Sequence, residues 1–391
     1  MANLELFGYQ RVEVPPFEYS DVLEKGFANA DDAFRFVEPE TGKIAALRSD
    51  VTPQIARLIA SRFADGPWPA RLCYQASVMR RRRERARLDQ KVRQVGFELA
   101  GQGEAGGDLE VLEAATSALR ATGLDEFTVD LAHAQIAGAL LDQLAPEPRT
   151  DALECLALKD STELRRVGTR SGLGGRSLEA LVALPALHGA DDVWPRAERV
   201  LAGTAAELPL RSLHRIWTAA IAAELAPHFV VDLGETREFY YYTGVMFHLL
   251  AEGPGEPLGS GGRYDSLFER FDLPCPAAGF AFDISNVCWA LDKLGVAESE
   301  LARVLVLGES GDTVVTLLRQ LRARGVACAT GPEPNAEAYA ARWDYTHVLT
   351  LRASGALLKC TESGSALPMN GKHVAEIAEV VATHLRVLEE V

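Results

Sequence analysis

No stretch of this sequence approaches the roughly 18 uninterrupted apolar residues that a membrane-spanning helix requires. The opening MANLELFGYQ lacks a basic region followed by an apolar core and a small-residue cleavage site, so a cytoplasmic location is expected. Six cysteines, Cys73, Cys155, Cys275, Cys288, Cys328 and Cys360, are scattered without CxxC spacing. Neither a zinc cage nor a disulfide framework is indicated, and the thiols are read as reduced and mostly buried, with no metal and no cofactor expected. Positive charge is also scarce, with 40 Lys and Arg against 55 Asp and Glu and a formal net charge of −15. That balance opposes broad association with nucleic acid, whose affinity comes largely from cations neutralising phosphates. There is no internal repeat, and the only low-complexity tract is one arginine run.

What is present describes a folded chain. Of 391 residues, 48% are hydrophobic and 24% charged, far from the profile of disorder, and the length implies two or three domains. Residues 7–16 read as a helix end turning at Gly8 into a strand that Pro15 stops. A short strand at 44–48 precedes a helix over 54–63, opened by Thr52-Pro53. Residues 71–79 and 92–100 are strand-like and flank a charged loop, which predicts a long antiparallel hairpin. A helix over 109–122 ends at Gly123, and 127–132 is again strand.

From 135 to 226 the pattern is helical, with breaks at Pro146, Pro148, Gly172 to Gly175 and Pro195. Strands return at 229–233, 239–250 and 279–282, followed by a helix over 284–294. The expected organisation is one α+β sheet domain, 1–134 with 227–295, interrupted by a helical insertion at 135–226. Beyond it, strands at 303–308, 326–330 and 346–351 alternate with helices at 312–324, 335–343 and 374–388. They predict a separate small α/β domain over 303–391, with the boundary near 296–302.

Three sets of residues carry a resemblance to a known family. The segment GYQRVEVPPFEY at 8–19 resembles the dimer-forming segment of class II aminoacyl-tRNA synthetases. LRSDVTPQIARL at 47–58, LCYQASVMR at 72–80 and QVGFELAG at 94–101 follow in the order and spacing that this family uses. YYYTGVMF at 240–247 and GSGGRYDSL at 259–267 are similar to the two histidine-specific signatures of the histidyl group. The resemblance implies a class II synthetase-like antiparallel sheet core, and a C-terminal domain similar to a degenerate anticodon-binding domain. Since the chain opens almost inside the first motif, a segment usual in the family is expected to lie outside it.

An amino-acid pocket needs carboxylates for an ammonium group and hydroxyls or amides for an imidazole. Asp50, Thr52, Gln94, Glu98, Tyr241 and Tyr242 supply those types, and the resemblance places them, with Arg80 and Arg237, around bound histidine. Taken singly, each has a plainer reading. Asp50 and Thr52 suit a turn and helix cap, Glu98 a partnered structural carboxylate, and the tyrosines sheet positions with satisfied hydroxyls. The glycines of GSGGRYDSL likewise suit close backbone approach in any sheet.

The resemblance stops at the nucleotide. Activation of an amino acid by ATP needs fixed cations around the α-phosphate and leaving group, and the family uses two arginines plus metal. The first matches Arg80. At the position of the second stands Asn286, within GFAFDISNVCWAL, too short and neutral to replace a guanidinium. Asp283 and Ser285 also depart from the pattern, Arg82 replaces a glutamate, Leu88 stands where a loop arginine belongs, and Tyr240 stands where an acid is expected. The basic loop at 80–91 fits a solvated hairpin tip or an anion contact equally well.

Among relatives of histidyl-tRNA synthetases that have lost activation, the chain resembles the regulatory subunits of ATP phosphoribosyltransferase. The resemblance implies a non-catalytic subunit acting in the first step of histidine biosynthesis, with L-histidine as effector and no tRNA partner. It implies a short-form catalytic subunit as partner and a homodimer core within a hetero-oligomer. A divergent active histidyl-tRNA synthetase, and a nucleic-acid-binding module using the basic run, are the competing readings.

Overall fold

A computed structural model describes residues 1–26, 33–80, 91–236, 242–296, 302–308 and 311–389. The chain forms two compact units, Met1–Val296 and Ala297–Val391. In chain order the first unit opens with α1 (Ala2–Leu6), β1 (Gln10–Arg11), β2 (Phe17–Tyr19), α2 (Ser20–Gly26), β3 (Arg35–Val37), β4 (Ile44–Leu47) and α3 (Thr52–Arg62). The hairpin strands β5 (Ala70–Met79) and β6 (Lys91–Ala100), helix α4 (Glu104–Arg120) and β7 (Thr128–His133) come next. A largely helical run follows, with α5 (Ala134–Leu141), α6 (Pro146–Ala157), α7 (Ser161–Arg170), α8 (Gly175–Ala183), β8 (His188–Gly189), α9 (Val193–Leu201) and α10 (Glu207–Ala222). The unit closes with β9 (His228–Asp232), β10 (Val245–Leu250), β11 (Gly259–Arg263), α11 (Asp265–Glu269), β12 (Ala277–Asp283) and α12 (Ile284–Lys293).

A nine-stranded sheet runs β1-β5-β6-β12-β11-β10-β7-β9-β8. Its pairs are antiparallel except β1 with β5 and β7 with β9. The hairpin β5–β6 pairs from Ala70↔Ala100 to Met79↔Lys91. Side chains alternate across a strand, so each face has its own core. Phe97 and Leu99 of β6, Phe247 and Leu249 of β10 and Phe280 and Phe282 of β12 pack with α4 and the helices α5 to α10 in one continuous core. On the opposite face Leu72, Tyr74, Met246 and Ala277 pack against Val51, Ile55 and Ile59 of the α3 segment. Glu98 and Gln94, even-numbered on β6, share this second face. Burying one residue such as Phe97 stabilises the fold by about 1.5–3 kcal/mol.

Several elements differ from the sequence expectation. Pro195 does not break a helix. It sits in the first turn of α9, where backbone N–H groups have no partner within the helix and proline costs nothing. Pro146 likewise opens α6 instead of ending a helix. The strand expected at 239–250 begins only at Val245, with 239–241 outside the described residues. Before it, Thr243 turns aside, its N–H donating to the Arg263 carbonyl and its Oγ1 accepting from Asp265 N–H. The thiols are less buried than expected, for Cys288 is exposed and Cys328 and Cys360 are half-buried.

The second unit comprises β13 (Arg303–Leu307), α13 (Gly311–Ala323), β14 (Ala327–Thr330), α14 (Ala336–Arg342), β15 (His347–Arg352), β16 (Gly355–Cys360), β17 (Ala366–Asn370) and α15 (Val374–Glu389). Its sheet runs β14-β13-β15-β16-β17. The first three strands are parallel, as strand–helix alternation requires, whereas β16 and β17 add antiparallel. These two strands escape a reading by hydrophobic runs because Lys359, Pro368 and Asn370 interrupt them. Gly355, at φ +140, lets the chain reverse between β15 and β16.

Candidate functional site

The site is organised by one buried carboxylate. Glu98 is 2% exposed and lies opposite Leu72 of β5 and Gly279 of β12. It accepts from Thr52 Oγ1 at 2.7 Å, from the Tyr74 hydroxyl at 3.3 Å and, closest of all, from the Tyr264 hydroxyl. Burial pushes the Glu98 carboxyl well above its usual range, a shift that the Thr52 hydrogen bond opposes and the nearby Asp50 charge reinforces. Burial also raises the Tyr74 phenol, leaving it a firm hydrogen-bond donor.

Two glycines make room for this arrangement. A methyl group at Gly96, opposite Tyr74, would overlap the Tyr74 ring. One at Gly279 would strike the Glu98 carboxylate and the Tyr264 hydroxyl together. The bare sheet floor at these positions lets Tyr74 and Tyr264 cross it and meet Glu98 from opposite sides.

The approach from α3 explains why Asp50 and Thr52 stand where they do. Asp50 Oδ1 accepts from Val51 N–H at 2.7 Å and Thr52 N–H at 3.4 Å, tying the loop to the helix start as a cap would. Thr52 does not cap its helix with its side chain, and its hydroxyl is turned onto Glu98 instead. Gln94 is buried on the same strand, and its amide oxygen has no hydrogen-bond partner among the described residues. Arg80 donates from Nε to the Ser49 carbonyl at 2.8 Å, next to Asp50. Tyr242 is buried, its ring centroid 6.4 Å from that of Tyr264. Arg237 and Tyr241 lie outside the described residues, as do Arg82, Leu88 and Tyr240.

Tyr74 and Tyr264 are the two residues that sequence reasoning missed. Both lie in quoted motifs, LCYQASVMR and GSGGRYDSL, but a tyrosine in a strand reads first as a sheet residue. Tyr264 is aimed by its neighbour. Arg263 is buried and donates to Asp108 at 2.6 Å, to Asp265 at 2.9 Å and to the Gln102 carbonyl. Asp265 in turn accepts from Ala277 N–H, and Tyr264 N–H donates to the Ala277 carbonyl at 2.8 Å. A charged clamp thus fixes the backbone on both sides of the phenol.

Four residues further along β12 the chemistry reverses. Asp283, paired with Gln94, accepts from Ser285 N–H at 2.9 Å and Asn286 N–H at 3.3 Å and so caps α12 with a negative charge. Asn286 is buried and its amide donates to the Pro257 carbonyl at 2.8 Å. A helix start that could meet a phosphate is already satisfied by a carboxylate, and a second anion there would be repelled.

Among the described residues, one group could gather on a metal ion. Asp130, Glu235 and His248 have donor atoms within 4.8 Å of one another, and each of the three also takes part in other interactions. Asp130 and His248 face each other across β7 and β10.

Comparison with known proteins identifies the family and the fold. The sequence model of the histidyl-tRNA synthetase family matches residues 1–287. The ATP phosphoribosyltransferase regulatory subunit of Syntrophotalea carbinolica is 35% identical over 330 residues, 83% of this chain and 77% of the relative. That of an Anaeromyxobacter species is 41% identical over 299 residues, 73% of this chain and 84% of the relative. A crystal structure of an ATP phosphoribosyltransferase regulatory subunit/histidyl-tRNA synthetase from Bacillus halodurans C is similar with a TM-score of 0.77 and 27% identity, covering 89% of this chain and 91% of that one. The histidyl-tRNA synthetase of Nostoc shares the fold, with a TM-score of 0.77 at 18% identity over 98% of this chain and 93% of that one. With the class II α+β sheet, the carboxylate on its floor and relatives matched over most of their length, this chain belongs to the ATP phosphoribosyltransferase regulatory subunits, a branch of the histidyl-tRNA synthetase family.

Proposed function

We propose that this chain is a non-catalytic regulatory subunit that binds free L-histidine on the sheet floor and passes that occupancy to a catalytic ATP phosphoribosyltransferase subunit. The observation that carries the reading is the contrast within one cleft. The Glu98 end gathers hydroxyls and an amide suited to an amino acid, while the α12 end presents Asp283 and a spent Asn286. Asp50, Thr52, Gln94, Glu98, Tyr242, Arg80, Arg237 and Tyr241 form the proposed histidine site, with Tyr74 and Tyr264 added. A transfer of the adenylyl group would need cations where α12 holds a carboxylate, so aminoacylation is not part of the proposal.

The regulation is a linkage. Histidine bound here lowers the partner's activity only if its affinity differs between the two states of the assembly. The partner is a short-form catalytic subunit, and this chain supplies a homodimer core to the hetero-oligomer in the cytoplasm. The test mixes this chain with such a subunit and assays activity with and without histidine. The proposal expects co-elution, a gain in activity and its loss when histidine is added. No co-elution and no gain would contradict it. Histidine-dependent ATP–pyrophosphate exchange by this chain alone would support an active synthetase instead.

A further inference from the structure

Val129 and Leu131 of β7 and Phe247 and Leu249 of β10 lie in the large core on one face of the sheet. Alternation along the strands therefore turns Asp130 and His248, which stand directly opposite each other, to the other face, beside Ala132 and Met246. A third group joins them from the turn after β9, the strand that runs parallel beside β7. This is Glu235, and its turn is held firmly against the helical run. Leu233 N–H donates to the Leu187 carbonyl at 3.0 Å, Gly234 N–H to Asp232 Oδ1 at 3.0 Å, and Lys159 Nζ to Asp232 Oδ2 at 2.6 Å. A methyl group on Gly234 would meet the Leu184 carbonyl oxygen at 2.9 Å, a close approach that glycine permits.

Three separate elements thus aim two carboxylates and an imidazole at one point, with donor atoms within 4.8 Å of one another. Asp130 is 9% exposed, Glu235 6% and His248 3%. Two carboxylates this close in a low-dielectric interior repel, and a cation at their centre turns the repulsion into attraction. The imidazole adds a nitrogen lone pair. One nitrogen and two oxygens suit borderline ions of the zinc and cobalt type, whereas magnesium and calcium prefer oxygen alone and soft ions prefer sulfur. At the 4.8 Å limit an ion centred among the donors lies about 2.8 Å from each, so side-chain shifts of under about an ångström reach the ~2.0–2.2 Å of zinc.

We propose that Asp130, Glu235 and His248 form a binding site for one divalent first-row transition-metal ion, with water completing its shell. The ion would tie β10, β7 and the turn after β9 together, and so fix the point from which the chain sets out towards Tyr242. The three positions carry no metal-ligand spacing in the sequence, because sheet register brings them together. This site goes beyond the histidine reading and does not rest on it. The competing arrangement is a hydrogen-bonded network in which His248 is protonated between the two acids.

The test uses the full chain, stripped with a chelator and returned to a buffer free of histidine, which would itself bind metal. Titration with zinc, followed by measurement of bound metal, should find one tight ion per chain and a melting temperature raised by several degrees. Magnesium should do neither. His248→Gln and Glu235→Gln should each weaken zinc at that site at least about 100-fold and lose the thermal shift. Cobalt bound to the wild type should show visible d–d absorption without a thiolate charge-transfer band, which separates this site from the cysteines. No tight zinc, equal zinc affinity in both variants, or a thiolate band on the tight cobalt ion would overturn the proposal and leave the histidine reading untouched. Should either variant fail to fold, the other variant and the wild-type cobalt spectrum decide.

Discussion

The two ends of β12 share one sheet face and present different chemistry. At Gly279 the strand is bare, so that Glu98 and Tyr264 meet over it. At Asp283, roughly 13 Å further on at the strand rise of ~3.3 Å per residue, the side chain caps α12. The first end gathers three hydroxyls on a buried carboxyl, and the second is a helix terminus already supplied with its anion.

The largest test of this contrast is Glu98→Ala. It removes the acceptor and leaves three hydroxyls without their partner, and hydrogen bonds to charged groups contribute about 1.5–3 kcal/mol each. Histidine affinity should fall at least about 100-fold by calorimetry, and histidine inhibition of the reconstituted complex should vanish while co-elution persists. Next comes Gly279→Ala, whose methyl group collides with Glu98 and Tyr264. Overpacking costs about 1–3 kcal/mol, so both the melting temperature and histidine affinity should drop. Thr52→Val deletes one donor to Glu98 and is expected to weaken histidine about tenfold with little change in melting temperature.

A smaller effect concerns pH and stability. The Glu98 carboxyl lies above its usual value of 4.5 in the folded protein. Its contribution is therefore fully present below pH 4.5 and is lost as pH rises through the folded value, because the unfolded chain ionises first. The melting temperature of the ligand-free wild type, relative to Glu98→Gln, should decline as pH rises above 4.5 towards the folded value. The smallest effect on histidine belongs to the other end of the strand. Asp283→Ala should cost about 1 kcal/mol of stability through the lost cap and leave the histidine Kd within about twofold. A large loss of histidine affinity there would erase the distinction between the two ends.

Much of this was legible before any coordinates. The hairpin β5–β6 follows from two ten-residue strand patterns around a charged loop, and Thr52 and Glu98 stand out because their motifs occur together in order. What joins them was not legible. A hydroxyl in a helix start and a phenol in a strand have ordinary structural roles, and only the sheet register, Glu98 opposite Gly279 and Tyr74 opposite Gly96, places Tyr74 and Tyr264 on one carboxylate. The same limit hid the fate of Asn286. Its lack of charge was plain in the sequence, whereas its hydrogen bond to Pro257 depends on a loop 29 residues away. The strands β16 and β17 were missed because their interrupted apolar pattern gains its partners only from β15.

Paired titrations of the same preparation with histidine and with magnesium ATP test the central claim most directly. Saturable heat with histidine and none with ATP, with or without histidine present, is the expected result. Tight ATP binding accompanied by pyrophosphate exchange would contradict it.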